Sequence, residues 1–317
     1  MTTADHRQLT QTQFLLELNP VVEAELNRHI PMAKDWYPHE YIPWSDGRNF
    51  DGPLGGDPWT EGDSKLTDVA RTALIINLLT KDNLPSYHHE IAVMFGRDEA
   101  WGDWVHRWTA EEGRHGAAIR DYLTVTRAVD PVQLEQLRMA HMSKGYQTTQ
   151  HEDLLRSIAY VSMQELATRV SHRNTGRATN EPVADQLLAR IAADENLHMV
   201  FYRNLLKAAL ELDPNQTIRA VNEVVQSFEM PGADIPGFQR KAVEIAIAGI
   251  YDLRQHRDDV VMPVVRFWGI FDLEGLSPEG EAAREELAAF LDDLDTQATR
   301  FEERRDRLRA RMEARQA

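Results

Sequence analysis

Two Glu-x-x-His segments constrain this 317-residue chain more than any other feature: Glu112-Gly113-Arg114-His115 and Glu195-Asn196-Leu197-His198. On a helix, residues three apart share a face, so each carboxylate and imidazole can reach one ion. A single such spacing arises often by chance, and its neighbours decide its meaning. Glu195 and His198 fall on the stripe Leu188, Ile191, Glu195, His198, Tyr202, Leu205. Glu112 and His115 fall on Trp101, Val105, Trp108, Glu112, His115, Ile119, Tyr122. A third stripe, Leu154, Ile158, Val161, Glu165, Thr168, carries another carboxylate. These faces are mostly apolar or aromatic, so the acids point toward a core. Burying three carboxylates without cations is costly, and a divalent metal supplies the missing charge. The competing arrangement is a set of ordinary buried ion pairs with Arg114 and Arg169, which leaves the repeated histidine unexplained.

Helical periodicity runs from Phe14 to the end of the chain, with no convincing alternating strand. The expected fold class is therefore all-α, a ferritin-like four-helix bundle core with additional flanking helices. The di-iron version of that bundle takes one Glu from each of two helices and Glu-x-x-His from each of the other two. Glu165 is one lone Glu, and the helix beginning near Leu66 should supply the other. The expected helices are Leu66–Phe95, Ala100–Arg127, Pro131–Lys144, Glu152–Arg173, Pro182–Leu212, Thr217–Phe228 and Phe238–Tyr251. Asp130-Pro131 and Asp213-Pro214 mark two junctions, and Met230 to Pro236 reads as a turn. We expect one domain over residues 1–317, with a polar tail (1–13), a lead-in loop (31–64), a metal-binding helical core (66–228) and C-terminal helices (236–317). The lead-in is rich in Pro, Gly and Asp, and Trp36, Tyr37, Tyr41, Trp44 and Trp59 are expected to anchor it.

Composition removes several classes. There are 51 acidic and 35 basic residues and a net charge of -16, which repels phosphate backbones and anionic lipid, so no nucleic-acid partner is expected. No cysteine is present, so thiolate zinc sites, iron–sulfur ligation and cysteine nucleophiles are excluded and any metal takes oxygen and nitrogen ligands. No apolar run approaches the roughly 20 residues of a membrane span, and the first thirteen residues lack a signal-peptide core, giving a cytoplasmic expectation. From Arg300 the chain carries seven Arg and four acids, read as a solvated terminal helix. His88-His89 reads as a helix-surface pair, and Trp101, Trp104 and Trp108 read as core or dimer packing rather than an electron conduit.

The ordered segments Trp36-Tyr37-Pro38-His39, Leu84-Pro85-Ser86-Tyr87, Trp108-Thr109-Ala110-Glu111-Glu112-Gly113-Arg114-His115-Gly116, Gln164-Glu165-Leu166-Ala167-Thr168, Ser171-His172 and Ala192-Ala193-Asp194-Glu195-Asn196-Leu197-His198 resemble the soluble acyl-acyl-carrier-protein (acyl-ACP) desaturases, the plastid stearoyl type and their actinobacterial relatives. The resemblance implies a di-iron centre with Glu112 and Glu195 bridging, His115 on one metal, and His198 with Glu165 on the other. It implies an active-site role for Thr168 and an electron route through Trp36 and Asp194 to His115. It implies O2-dependent introduction of a cis double bond into a carrier-tethered acyl chain, an acyl carrier protein partner, a ferredoxin-type electron donor and a homodimer. Arg28 and Lys34, just before Trp36, are candidates for docking the acidic carrier.

The chain departs from the family at the remaining carboxylate ligand, expected shortly before Leu-Pro. Here it reads Thr80-Lys81-Asp82-Asn83-Leu84-Pro85, so that position falls on Lys81. Asp82 is a substitute only if the helix is re-phased, since one residue turns a side chain by about 100°. Three carboxylates with one ammonium carry a net charge that balances one divalent ion rather than two. We therefore expect Lys81 to block the metal position beside His115, leaving a single metal bounded by Glu112, Glu165, Glu195 and His198. Two alternatives stay open: a catalytically silent homologue that binds metal or carrier as a regulatory partner, and an oxygenase or hydroxylase using the same bundle. A deprotonated, coordinating Lys81 or an outward Lys81 would instead preserve two metals.

Overall fold

A computed structural model describes residues 8–146, 153–233 and 235–316 of the chain. Residues 1–7 of the polar tail, the expected helix start at Glu152, and Asp234 in the expected turn lie outside the described residues. The described residues form helices with no strand, the one β-bridge being Phe50 with Asp57. None of these helices is long and apolar enough to cross a membrane.

Helix α1 (Gln11–Met32) opens with a capping box between Thr10 and Gln13. Its apolar stripe Phe14, Leu18, Val22, Leu26 ends in the fully buried His29. Four long segments then make the bundle: α2 (Asp68–Asp82), α4 (Glu99–Val125), α6 (Leu154–Thr179) and α7 (Pro182–Leu212), with α3 (Leu84–Phe95) and α5 (Pro131–Met142) between them. The α6–α7 pair makes the most extended contact, and α2 and α4 close the ring against them. Helix α1 covers α4 and α7 from outside, and α8 (Pro214–Ser227) lies against α6. Helix α9 (Phe238–Ala248) packs on α2. A run of α10 (Leu253–Gln255), a π-helical stretch (His256–Val261) and α11 (Met262–Trp268) packs against α6 and α7, and α12 (Pro278–Gln316) lies along α8.

Several sequence boundaries need correction. The single helix expected over Leu66–Phe95 is two, because Pro85 has no N–H to extend α2 and the chain restarts at Asn83 as α3. The helix expected from Thr217 begins at Pro214, whose missing N–H costs nothing in a first turn, with Asp213 as its cap. Helix α6 continues past Arg173 to Thr179 and stops at Asn180 in the left-handed region (φ 51°). Helix α9 stops at Ala248 because Gly249 turns left-handed (φ 77°). The lead-in also starts later than residue 31, since Pro31 closes the last turn of α1.

Three of the five expected aromatic anchors hold the lead-in. Trp36 is buried, Tyr41 packs on the same apolar cluster, and Trp59 Nε1 donates to the Arg127 carbonyl at 3.0 Å. Tyr37 and Trp44 are exposed and meet only the lead-in itself, Tyr37 stacking on His39 and Trp44 Nε1 donating to the His39 carbonyl at 3.2 Å. The larger restraint is Arg127, whose buried guanidinium donates to the Asp63 carboxylate and to the carbonyls of Asn49, Asp57 and Pro58. One cation thus gathers the turns of a loop that has little secondary structure of its own.

In the C-terminal half, His256 lies against Phe228 (ring centroids 4.9 Å apart), with the Tyr251 hydroxyl 3.0 Å from its Nδ1. Burial pushes its pKa down to about 4, against an ordinary value of 6.5. Between those values the unfolded chain binds a proton that the folded chain rejects, so stability is whole above about pH 6.5 and falls as the pH drops toward 4. Urea unfolding of His256→Phe across that window should give a flatter pH dependence than the parent protein; an unchanged slope would place the titration elsewhere.

Candidate metal centre

Along α4 the apolar residue Trp108 gives way to Glu112 and His115 and then to Ile119; along α7 Ile191 gives way to Glu195 and His198 and then to Tyr202. The charged layer is therefore clamped between two hydrophobic clusters, one holding Trp108 and Tyr202, the other Ile119 and Ile191. Glu112, His115, Glu165, Glu195 and His198 are all buried and converge at this level, as their stripes predicted. Arg169, offered as an ion-pair partner, is exposed instead.

Lys81 points inward. Its Nζ donates to Glu112 Oε2 at 2.6 Å and lies 2.6 Å from Glu195 Oε1. Burial alone would favour the neutral amine, but the charges of Glu112, Glu195 and Glu165 outweigh it and hold the ammonium protonated above its ordinary range. Asp82 is not the substitute ligand, because it faces α5 and pairs with Arg138. With Lys81 as neighbour, Glu112 and Glu195 stay ionised despite burial and mutual repulsion. Glu165 is pushed up to about 8 by burial and by the charge of Glu195. Trp108 Nε1 donates to Glu165 Oε1 at 2.9 Å, so this tryptophan holds a site carboxylate rather than only filling core. Trp104 is core, stacked on Phe201 (ring centroids 3.5 Å apart).

The imidazoles are held in a crossed pattern. His115 Nε2 lies 3.1 Å from Asp194 Oδ2, the residue before Glu195. His198 Nε2 lies 2.8 Å from Glu111 Oε2, the residue before Glu112. Each accepting carboxylate is gripped by an arginine four residues earlier, Arg190 for Asp194 and Arg107 for Glu111. Each also takes a second ring donor: Trp36 Nε1 to Asp194 at 2.7 Å, and His29 Nε2 to Glu111 at 3.0 Å. Those rings stack on the imidazoles they support, Trp36 on His115 at 6.2 Å and His29 on His198 at 5.8 Å. Trp36, Asp194 and His115 thus meet as expected. Glu111, Arg107, His29 and Arg190 were missed, although the chain advertises them: Arg107–His115 and Arg190–His198 share the pattern Arg-x-x-x-acid-Glu-x-x-His. His172 was also missed; it is buried with its Nε2 3.7 Å from Glu195 Oε1, and burial pushes its pKa down to about 3.

The two halves differ in what the remaining helices contribute. On the His198 side, Glu112 Oε1, Glu165 Oε2 and His198 Nδ1 are buried without a hydrogen-bond partner. Glu112, Glu165, Glu195 and His198 offer ligand atoms all within 4.8 Å of one another. Orphaned oxygen and imidazole donors of this kind fit a divalent transition ion such as iron. On the other side, His115 Nδ1 and Glu195 Oε1 are likewise buried without a hydrogen-bond partner, 3.2 Å apart, with Glu112 Oε1 3.5 Å from the imidazole, but the Lys81 ammonium already contacts both carboxylates. That half does not fit a second ion. Thr168 Oγ1 lies 3.2 Å from Glu195 Oε2, and the residue also lines a cavity of about 260 Å³. Lys81, Thr80, Ile76 and Gln164 line the inner part of that cavity, and Met230, Phe238, Ile245 and Tyr251 line its walls from the 229–251 segment. Of the candidate docking groups, Lys34 is exposed, while Arg28 is engaged by Glu25 at 2.6 Å. His88 is bonded to Thr109 at 2.7 Å and His89 is exposed, as a surface pair should be.

A helical bundle with buried carboxylates and crossed imidazoles offers a site that could hold a metal, and sequence comparison specifies the family. The profile of the family described as fatty acid desaturase matches residues 10–316, and the chain belongs to that family. DesA1 of Mycobacterium tuberculosis, named as an acyl-ACP desaturase, is 55% identical over 301 residues, covering 93% of this chain and 89% of DesA1. Stearoyl-ACP 9-desaturase 5 of Oryza sativa is 30% identical over 278 residues, 82% of this chain and 70% of its own. The X-ray structure of DesA2 from M. tuberculosis, also named as an acyl-ACP desaturase, superposes with a TM-score of 0.69 at 33% identity, covering 85% of this chain and 98% of DesA2.

Removing the ammonium should expose the charge balance directly. Lys81→Met in the metal-free protein should lose about 3 kcal/mol or more of unfolding free energy in urea, because two buried carboxylates lose their cation. Parent-like stability would mean that Lys81 does not compensate them.

Proposed function

We propose that the chain is an acyl-ACP desaturase-type oxidoreductase that holds one iron between Glu112, Glu165, Glu195 and His198. The observation that carries this is the set of orphaned donor atoms lying beside an apolar cavity, with Thr168 and Lys81 lining the cavity and touching the site carboxylates. Family membership and the names of DesA1 and the rice stearoyl-ACP desaturase supply the substrate class.

Iron, when bound, would supply the dioxygen-dependent redox chemistry that no protein side chain provides. Overall, two adjacent methylenes each lose a hydrogen; with O2, two electrons and two protons the products are a cis double bond and two waters. The chain's own residues bind, orient and exclude water. The cavity walls from the 229–251 segment hold the acyl chain in an apolar slot away from bulk solvent. Thr168 Oγ1 stands between that slot and Glu195 Oε2, where it can hold a proton. Trp36, Asp194 and His115 form a hydrogen-bonded chain inward from the lead-in loop, ending at His115 Nδ1 3.2 Å from the Glu195 carboxylate, and we assign it to electron entry. On the family resemblance, a ferredoxin-type protein delivers the electrons and the chain works as a homodimer. The exposed Lys34, with Arg28 behind it, is the proposed contact for the acidic carrier.

Two measurements test this. A deuterium-labelled acyl-ACP incubated with the iron-loaded protein, a ferredoxin reductant and O2 should yield a product two hydrogens lighter, by mass spectrometry of the released acid. A product with added oxygen, or none at all, would overturn the desaturase reading. Plasma mass spectrometry after iron loading should find about one iron per chain, rising to two in Lys81→Glu; two tightly held irons in the parent would overturn the one-metal reading.

A further inference from the structure

Lys81 and Glu165 occupy corresponding places in the two halves of the bundle, and they make the halves chemically unequal. If one ion is held, it sits on the His198 side, so the groups that orient His198 act on the metal and those that orient His115 do not. We infer that Glu111 and His29 are the positioning residues of the metal-holding half, fixing His198 with its proton on Nε2 and its Nδ1 lone pair turned to the ion. This rests on the one-metal reading above.

The geometry forces the tautomer. Glu111 has Arg107 on one oxygen and two imidazole nitrogens on the other, so it is an ionised acceptor with no proton to give. His198 Nε2, 2.8 Å away, must therefore be the donor, so Nδ1 is the nitrogen left to meet an ion, on the side where Glu112 Oε1 and Glu165 Oε2 stand 3.2 and 3.6 Å off. His29 acts one layer further out. Its Nε2 donates to the same Glu111 oxygen, and its ring lies nearly parallel to that of His198, at 22°. Trp104 meets both rings edge-on, at 5.1 Å for His29 and 6.0 Å for His198, so neither can swing freely. His29 is placed by the apolar stripe of α1, which makes that helix, outside the four-helix ring, part of the metal site. In the other half, Trp36 and Asp194 do the same for an imidazole whose Nδ1 shares its carboxylates with an ammonium.

Cobalt(II) titration of the full-length metal-free protein tests this, reading the visible ligand-field spectrum and the affinity by chelator competition. Glu111→Gln should bind cobalt about 10- to 100-fold more weakly with an altered spectrum, as loss of an outer carboxylate on a metal-bound histidine does. His29→Leu should weaken binding about 10-fold, whereas His29→Gln, which keeps an N–H donor, should stay within about 3-fold of the parent. Asp194→Asn, the counterpart on the ammonium side, should also stay within about 3-fold. Equal losses in Glu111→Gln and Asp194→Asn, or parent-like binding in both Glu111→Gln and His29→Leu, would overturn the inference alone. Should Glu111→Gln not fold, the His29 pair decides: equal affinity of Leu and Gln variants overturns it. A parent protein that takes up no cobalt overturns the metal reading beneath it.

Discussion

At the centre of the bundle, three glutamates and two histidines are removed from water within a few ångströms of one another, and an isolated charge there would be costly. The helices can close only because each charge is answered. The Lys81 ammonium answers Glu112 and Glu195, the imidazoles are answered by Glu111 and Asp194, and those acids by Arg107, Arg190 and Arg114. Compensation spreads outward in layers until it reaches side chains that touch solvent. The apolar clusters above and below this layer set the spacing of the helices, but the charge pattern sets which faces meet.

Two segments outside the four-helix ring complete those layers. Helix α1 brings His29 to Glu111, and the lead-in brings Trp36 to Asp194, with Arg114 lying 4.5 Å from the centre of the indole. The lead-in is held in turn by Arg127 at the end of α4. An otherwise irregular loop is thus fixed at both ends, one by the site and one by a buried cation. This explains why a stretch with so many glycines and prolines can present an indole to a histidine at a defined place.

Much of this was legible in the chain. Periodicity identified the faces of α4, α6 and α7 because each carries charges on one apolar stripe, so Glu112, His115, Glu165, Glu195 and His198 could be placed together. Lys81 was harder. Helix α2 buries Ala73, Leu74, Ile76, Asn77, Leu78 and Leu79, nearly all around its circumference, so periodicity does not say which way Lys81 points. Only the family's expected ligand position singled it out. Asp82 looked like a substitute because its partner Arg138 lies 56 residues away, on a helix whose docking no local pattern reveals. Glu111 was overlooked because a Glu-Glu pair reads as one inward and one outward residue, whereas here a third helix, α1, buries the outward one. The break at Asn83 was missed for a simpler reason: apolar periodicity continues through it, and only the missing N–H of Pro85 interrupts the ladder.

The central claim is that an ammonium stands where the second metal of such a centre would be. Anomalous diffraction at the iron edge from crystals of the iron-loaded protein tests it most directly. One anomalous peak per chain is expected, bounded by Glu112, Glu165, Glu195 and His198, with Lys81 Nζ in contact with Glu112 and Glu195 on the His115 side. Two peaks, with Lys81 displaced or coordinating, would contradict it.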